Sequence, residues 1–124
     1  MNKKKKIMIV EDDEDISKVY EIKFSKEGLD ILTAKDGEEA ISKISEEKPD
    51  FILLDLMIPK KDGFAVLEEI KKNPKLSKIP IVVLSNLGSK VDQKKAIDLG
   101  ADEFLVKASN PIQTIIDKVI KYIK

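Results

Sequence analysis

Four apolar runs in this chain end abruptly in groups able to do chemistry. Ile7-Met8-Ile9-Val10 is followed by Glu11, Asp12 and Asp13, and Phe51-Ile52-Leu53-Leu54 by Asp55. Ile81-Val82-Val83-Leu84 gives way to Ser85, and Phe104-Leu105-Val106 to Lys107. Carboxylates can act as nucleophiles or hold a hard cation, a hydroxyl can hydrogen-bond an oxyanion, and an ammonium can neutralise one. Taken singly, each has an ordinary structural reading. An acid after a strand commonly caps the next helix, and a terminal lysine commonly sits in solvent. Four such endings on four core runs are harder to assign to capping alone.

The rest of the composition narrows the chemistry. The chain has no histidine and no cysteine, and all 23 basic residues are lysine. The usual general base, thiolate chemistry and the bidentate arginine fork are therefore absent. Whatever reaction takes place must use carboxylates, lysine, hydroxyls and metal. The abundance of lysine itself is read as nucleotide bias or a hot habitat. Charged residues make up 37%, above the roughly 25% average, yet 23 acidic groups balance the 23 basic ones. A balanced charge gives no global field for nucleic acid or membrane. No apolar run approaches the length of a membrane span. The 124 residues are expected to form one domain, 1–124, in the cytoplasm.

The elements that must carry these groups follow from periodicity. Together with Ile31-Leu32 and its neighbours, the apolar runs number five. Their continuous apolarity suits parallel strands covered on both faces. Amphipathic stretches lie between them. Ile16, Val19, Tyr20 and Phe24 form a stripe in the first. Ile112, Ile115, Ile116, Val119, Ile120 and Ile123 form one in the last. The fourth, around Val91 to Leu99, is the weakest. Gly28 and Gly100 are placed to end helices one and four. Asp36 with Glu39, and Ser89 with Asp92, are placed to start helices two and four. Pro49 and Pro74 follow helices two and three, and Pro111 suits a first helical position. Asp62 caps helix three, and Gly63 permits its tight entry. The expected fold is α/β: a three-layer, doubly wound (βα)5 parallel sheet with helices on both faces. Ligand chemistry in such sheets lies beyond the carboxyl ends of the strands, where all four endings fall.

From about Lys5 onward the chain resembles the receiver domain of two-component response regulators. The likeness is carried by Glu11-Asp12 after Ile-Met-Ile-Val, by Leu54-Asp55-Leu56-Met57-Ile58-Pro59-Lys60-Lys61-Asp62-Gly63, by Ser85, and by Leu99-Gly100-Ala101-Asp102-Glu103-Phe104-Leu105-Val106-Lys107. The resemblance implies a flavodoxin-like strand order of 2-1-3-4-5, which sets strands one and three side by side. It implies that Asp55 is the phosphoacceptor, taking its phosphoryl group from a partner histidine kinase or histidine phosphotransfer protein. It also implies Mg²⁺ bound by Asp12, Asp55 and the Met57 carbonyl, with Glu11 acting largely through water. Chemistry agrees, because three carboxylates in one pocket repel unless a cation intervenes, and Mg²⁺ favours such oxygen ligands. Lys107 then neutralises phosphoryl charge, and Ser85 hydrogen-bonds a phosphoryl oxygen. Ser85 and Phe104 are the implied switch residues. The face of helix four, strand five and helix five is implied to carry the output contact, to a protein target or a phosphorylation-dependent homodimer. The implied activity is limited to self-catalysed phosphotransfer and autodephosphorylation, without direct nucleic-acid or membrane contact.

The chain departs from the family pattern at three positions. Asn86 follows Ser85 where a small residue is usual, which bears on access to the phosphoryl group. Ala108 follows Lys107 where the family has proline with a cis bond. Because a non-proline cis bond costs roughly 2.5–4 kcal/mol, a trans bond is favoured and the aim of Lys107 is put in question. Phe104 stands where tyrosine is common and carries no hydroxyl. Three rival readings remain. An aspartate-nucleophile phosphatase needs an acid two positions after the nucleophile, and Met57 stands there. A flavin-binding protein needs a Ser/Thr/Gly-rich phosphate loop after strand one, where this chain has Glu11 to Asp15. A degenerate receiver acting as a plain binding module is expected to lack Asp55, Asp12 or Lys107, and all three are present.

Overall fold

The computed structural model describes residues 4–86 and 89–123. Among these, five strands alternate with five α-helices: β1 (Lys6–Val10), α1 (Glu14–Lys26), β2 (Asp30–Ala34), α2 (Gly37–Glu47), β3 (Phe51–Asp55), α3 (Gly63–Lys72), β4 (Ile81–Ser85), α4 (Lys90–Asp98), β5 (Glu103–Val106) and α5 (Ile112–Ile123). A short 3₁₀ turn, Lys107–Ser109, joins the last strand to α5. The strands are all parallel and lie in the order β2-β1-β3-β4-β5, as the family resemblance implies.

Alternation along each strand divides the core in two. Met8, Val10, Ile52, Leu54, Ile81 and Val83 face one way, packing with Ala40 and Ile44 of α2, Val66, Leu67 and Ile70 of α3, and Ala96 of α4. Ile7, Ile9, Phe51, Leu53, Val82, Leu84 and Leu105 face the other, against Tyr20 and Phe24 of α1 and Ile115, Ile116 and Val119 of α5. The three central strands are therefore apolar along their length because both faces are covered. Edge strands β2 and β5 are only partly buried.

The caps fall where residue type places them. Asp36, Asp62 and Ser89 accept from the backbone N–H groups of Glu39, Ala65 and Asp92, satisfying donors left free at a helix start. Gly28 and Gly100 follow α1 and α4 with φ of +83° and +112°, the left-handed exit that glycine permits. Pro111 lies one residue before α5, and its carbonyl accepts from Ile115 N–H at 3.2 Å. Ile112 departs from the predicted stripe: at the first residue of α5 it is exposed, while Ile115, Ile116 and Val119 reach the core. Among the described residues no helix is long and apolar enough to cross a membrane.

Candidate functional site

The 2-1-3-4-5 order makes β1 and β3 neighbours, with Val10 opposite Leu54 in register. The residues one step further on, Glu11 and Asp55, therefore emerge side by side at the carboxyl edge. Asp12 completes a group of three carboxylates, each offering an oxygen within 4.8 Å of the others. Glu11 and Asp55 are both only 5% exposed, while Asp12 is open to solvent. Asp13, next in the acidic run, instead turns back to cap α1, accepting from Asp15 N–H at 3.0 Å and Ile16 N–H at 3.2 Å. The run thus divides between a carboxylate cluster and a helix cap.

Lys107 reaches into this cluster from the far edge of the sheet. Its Nζ donates to Asp55 Oδ2 at 2.9 Å and to Glu11 Oε2 at 2.8 Å. No cis peptide occurs among the described residues, so Lys107 reaches Asp55 through a trans bond to Ala108. Aim is supplied by the 3₁₀ turn that begins at Lys107, in which Asn110 Nδ2 donates to the Val106 carbonyl at 2.9 Å.

Burial is the main cause that raises the Glu11 pKa, to about 7; the hydrogen bond from Lys107 opposes the rise and the Asp55 charge adds to it. For Lys107, burial works against the charge, but the hydrogen bonds to Glu11 and Asp55 outweigh it and hold the ammonium above its ordinary pKa. Three carboxylates and one ammonium leave the cluster two negative charges when all are ionised, which suits a divalent cation. Oxygen donors of this kind fit Mg²⁺.

Asp55 is further fixed by Met57, whose backbone N–H donates to Asp55 Oδ1 at 3.0 Å. The Met57 side chain is 56% exposed. It lines an open depression of about 340 Å³ with Glu11, Asp12, Asp13, Ile16, Asp55, Asn86 and Lys107. Ser85 ends β4 and is fully buried, while the next residue, Asn86, forms part of the wall. Phe104 is half-buried on β5 opposite Val83. It packs on the core side occupied by α2, α3 and α4, and borders a groove with Gln93, Lys94 and Ile97 of α4. Glu11, Asp12, Asp55, Met57 and Lys107 thus meet in one place, buried Ser85 lies one residue before the wall residue Asn86, and Phe104 stands apart. Leu87, the second residue after Ser85, lies outside the described residues.

The pairing of Lys107 with Glu11 was not legible in the sequence. The role of the corner at Asp36-Gly37, which abuts the loop after Asp55, was equally hidden. Its one sequence signal is that Asp-Gly recurs at 62–63, the start of α3.

Known proteins resemble the chain in sequence and in shape. The family model described as the response regulator receiver domain matches residues 7–119. The probable transcriptional regulator ycf27 of Guillardia theta is 42% identical over 108 residues, 87% of this chain and 41% of that protein. The chain spans less than half the length of the curated relatives it matches, 41% and 44% for two of them. Among solved structures, the phosphorylated cyanobacterial phytochrome response regulator RcpA superposes with a TM-score of 0.85 at 36% identity, covering 96% of this chain and 92% of that one. The Mn²⁺-bound form of response regulator Rcp1 gives 0.80 at 32% identity, covering 90% and 87%. With its 2-1-3-4-5 sheet and the acids gathered at the carboxyl edge, the chain belongs to the response regulator receiver domain family.

Proposed function

We propose that this receiver is a working phosphoacceptor, with Asp55 as the nucleophile. One observation carries the reading: Asp55 lies at the floor of an open depression, paired with Lys107 at 2.9 Å and grouped with Glu11 and Asp12. A carboxylate oxygen of Asp55 attacks the phosphorus of a phosphohistidine on a partner kinase or phosphotransfer protein. The new P–O bond forms as the P–N bond breaks, and the electron pair leaves with the imidazole. The transition state needs neutralised charge more than a base, which suits a site without histidine.

Lys107 Nζ, already within hydrogen-bond reach of the reacting carboxylate, pairs with the incoming phosphoryl oxygens. Ser85 supplies a hydroxyl from the end of β4, the strand paired with β3. Asp12, Asp55 and the Met57 carbonyl would hold Mg²⁺, with Glu11 as an outer partner; when bound, the cation would supply further neutralisation of phosphoryl charge. The Mn²⁺-bound form of the similar Rcp1 supports a divalent cation here.

Output follows from the α4-β5-α5 face. Val91 and Ile97 of α4 and Tyr122 of α5 are exposed large apolar residues, and Ile97 shares a groove with the half-buried Phe104, a surface suited to a protein target or a second copy. The domain is a signalling unit of the cytoplasm, spanning 1–124. Its balanced charge gives it no global field to hold nucleic acid. Incubation with acetyl phosphate and Mg²⁺ tests the reading: intact mass should rise by one phosphoryl group, and Asp55→Asn should abolish the rise. Undiminished labelling of the variant would move the acceptor elsewhere.

A further inference from the structure

Beside the acceptor loop, a corner of the molecule that takes no part in the chemistry makes an unusually close contact. Gly37, the first residue of α2, donates its N–H to the Pro59 carbonyl at 3.2 Å. A Cβ at Gly37 would overlap the Lys61 carbonyl oxygen and stand 2.6 Å from Lys61 Cβ. Only glycine allows two backbones so near. The Pro59 carbonyl is held from a second side by Lys61 N–H at 2.9 Å. This closes a three-residue turn around Lys60, whose φ is +69°. A turn of this kind with a positive central φ is rare and strained for a residue bearing a side chain. The same corner supplies a second hold. Asp36, buried, accepts from Glu39 N–H at 2.7 Å, and its other oxygen stands 3.7 Å from Lys60 Nζ.

The strained turn therefore leans on a corner contributed by another part of the chain. Its distance from the site is short. Pro59 lies two residues beyond Met57 and four beyond Asp55, and the loop's other tie is Gly63 N–H to the Leu56 carbonyl at 3.0 Å. Met57 and Ile58 are suspended between these anchors. We infer that Gly37 is a positioning residue of the acceptor site: by seating Pro59 and Lys61 it sets where the Met57 carbonyl points, and so sets cation affinity without touching the cation. The inference rests on the proposed role of the Met57 carbonyl as a ligand. A role confined to α2 would leave glycine replaceable, since alanine is the better helix former.

Mg²⁺ titration followed by backbone amide resonances tests this, using wild type, Gly37→Ala, Gly37→Ala with Lys60→Gly, and Gly28→Ala. Gly28, unlike Gly37, has a positive φ, and a Cβ there meets nothing within 4 Å, so its variant carries backbone strain without a contact. Gly37→Ala should bind Mg²⁺ roughly tenfold more weakly, the low end for groups that orient ligands, and Gly28→Ala should match wild type. Adding Lys60→Gly should recover part of the loss, because the turn can then reseat. In wild type the Gly37 amide should shift as Mg²⁺ binds, a result that does not depend on any variant folding. Wild-type affinity in Gly37→Ala, or a Gly37 amide that stays still while Asp12 and Met57 move, would overturn the inference and leave the metal site standing. No Mg²⁺-dependent shift at Asp12 or Met57 in wild type would overturn both.

Discussion

Lys107 and Glu11, 96 positions apart in the chain, are joined by a 2.8 Å ion pair beside Asp55. The same ammonium holds Asp55 at 2.9 Å, so one cation of the chain stands between two nearly buried carboxylates. Lys107→Ala should therefore lower metal-free stability by about 2 kcal/mol, in the range for hydrogen bonds to charged groups. Mg²⁺ should stabilise this variant more than wild type, because it then meets acids with no counter-charge. Urea denaturation with and without Mg²⁺ measures both effects. Equal Mg²⁺ increments in the two proteins would show that Lys107 and the cation do not share a site.

Gly63 packs its Cα against the backbone of Leu56 and Asp55. A Cβ there would stand 2.5 Å from Leu56 Cα and 2.7 Å from the Asp55 carbonyl oxygen. Gly63→Ala should cost about 1–3 kcal/mol, as overpacking does, and should slow phosphorylation by acetyl phosphate because Asp55 must shift. Denaturation paired with a phosphorylation time course checks the prediction; a fully stable variant would mean that the loop yields freely.

The two tyrosines should resist ionisation. Tyr122 is held up to about 12 chiefly by its 2.8 Å hydrogen bond to Glu103, and Tyr20 up to about 12 chiefly by burial. Folded values raised above 10 mean that this contribution to stability is complete below pH 10 and lost as pH rises through about 12. Ultraviolet titration should show little tyrosinate at pH 10, and Glu103→Gln should return one phenol toward its ordinary range. Two phenols titrating near 10 in the wild type would rule out the Tyr122–Glu103 tie.

Autodephosphorylation should be slow, because the exposed Met57 side chain at the rim of the depression cannot orient a water by hydrogen bonding. Met57→Asn should shorten the phosphoryl lifetime, read as decay of the phosphorylated mass. An unchanged lifetime would mean that water positioning at this residue is not limiting.

The parts legible in the sequence are those with local causes. Continuous apolar runs marked the central strands because both faces are covered, and Asp36, Asp62 and Ser89 marked helix starts because a cap needs only the next three residues. Strand order came with the family resemblance, and with it the meeting of Glu11, Asp12 and Asp55. Contacts between distant loops left no such trace. Nothing in the residue types says that Lys107 bridges to Glu11, or that Gly37 lies against Lys61. Lys60 carries a left-handed φ that its own sequence disfavours, a conformation imposed by tertiary contact. The exposure of Ile112 has a similar origin: periodicity assigns a face, while the end of a helix decides whether that face still meets the sheet.

The identity of the acceptor is the central claim, and chemical trapping tests it most directly. An aspartyl phosphate is a mixed anhydride, which borohydride reduces to homoserine at the residue that carried it. Protein phosphorylated by acetyl phosphate with Mg²⁺, then reduced and digested, should show homoserine at position 55 alone. Homoserine at Asp12, the reduced counterpart of Glu11, or a phosphoryl group on Ser85 that survives hydroxylamine would contradict the account.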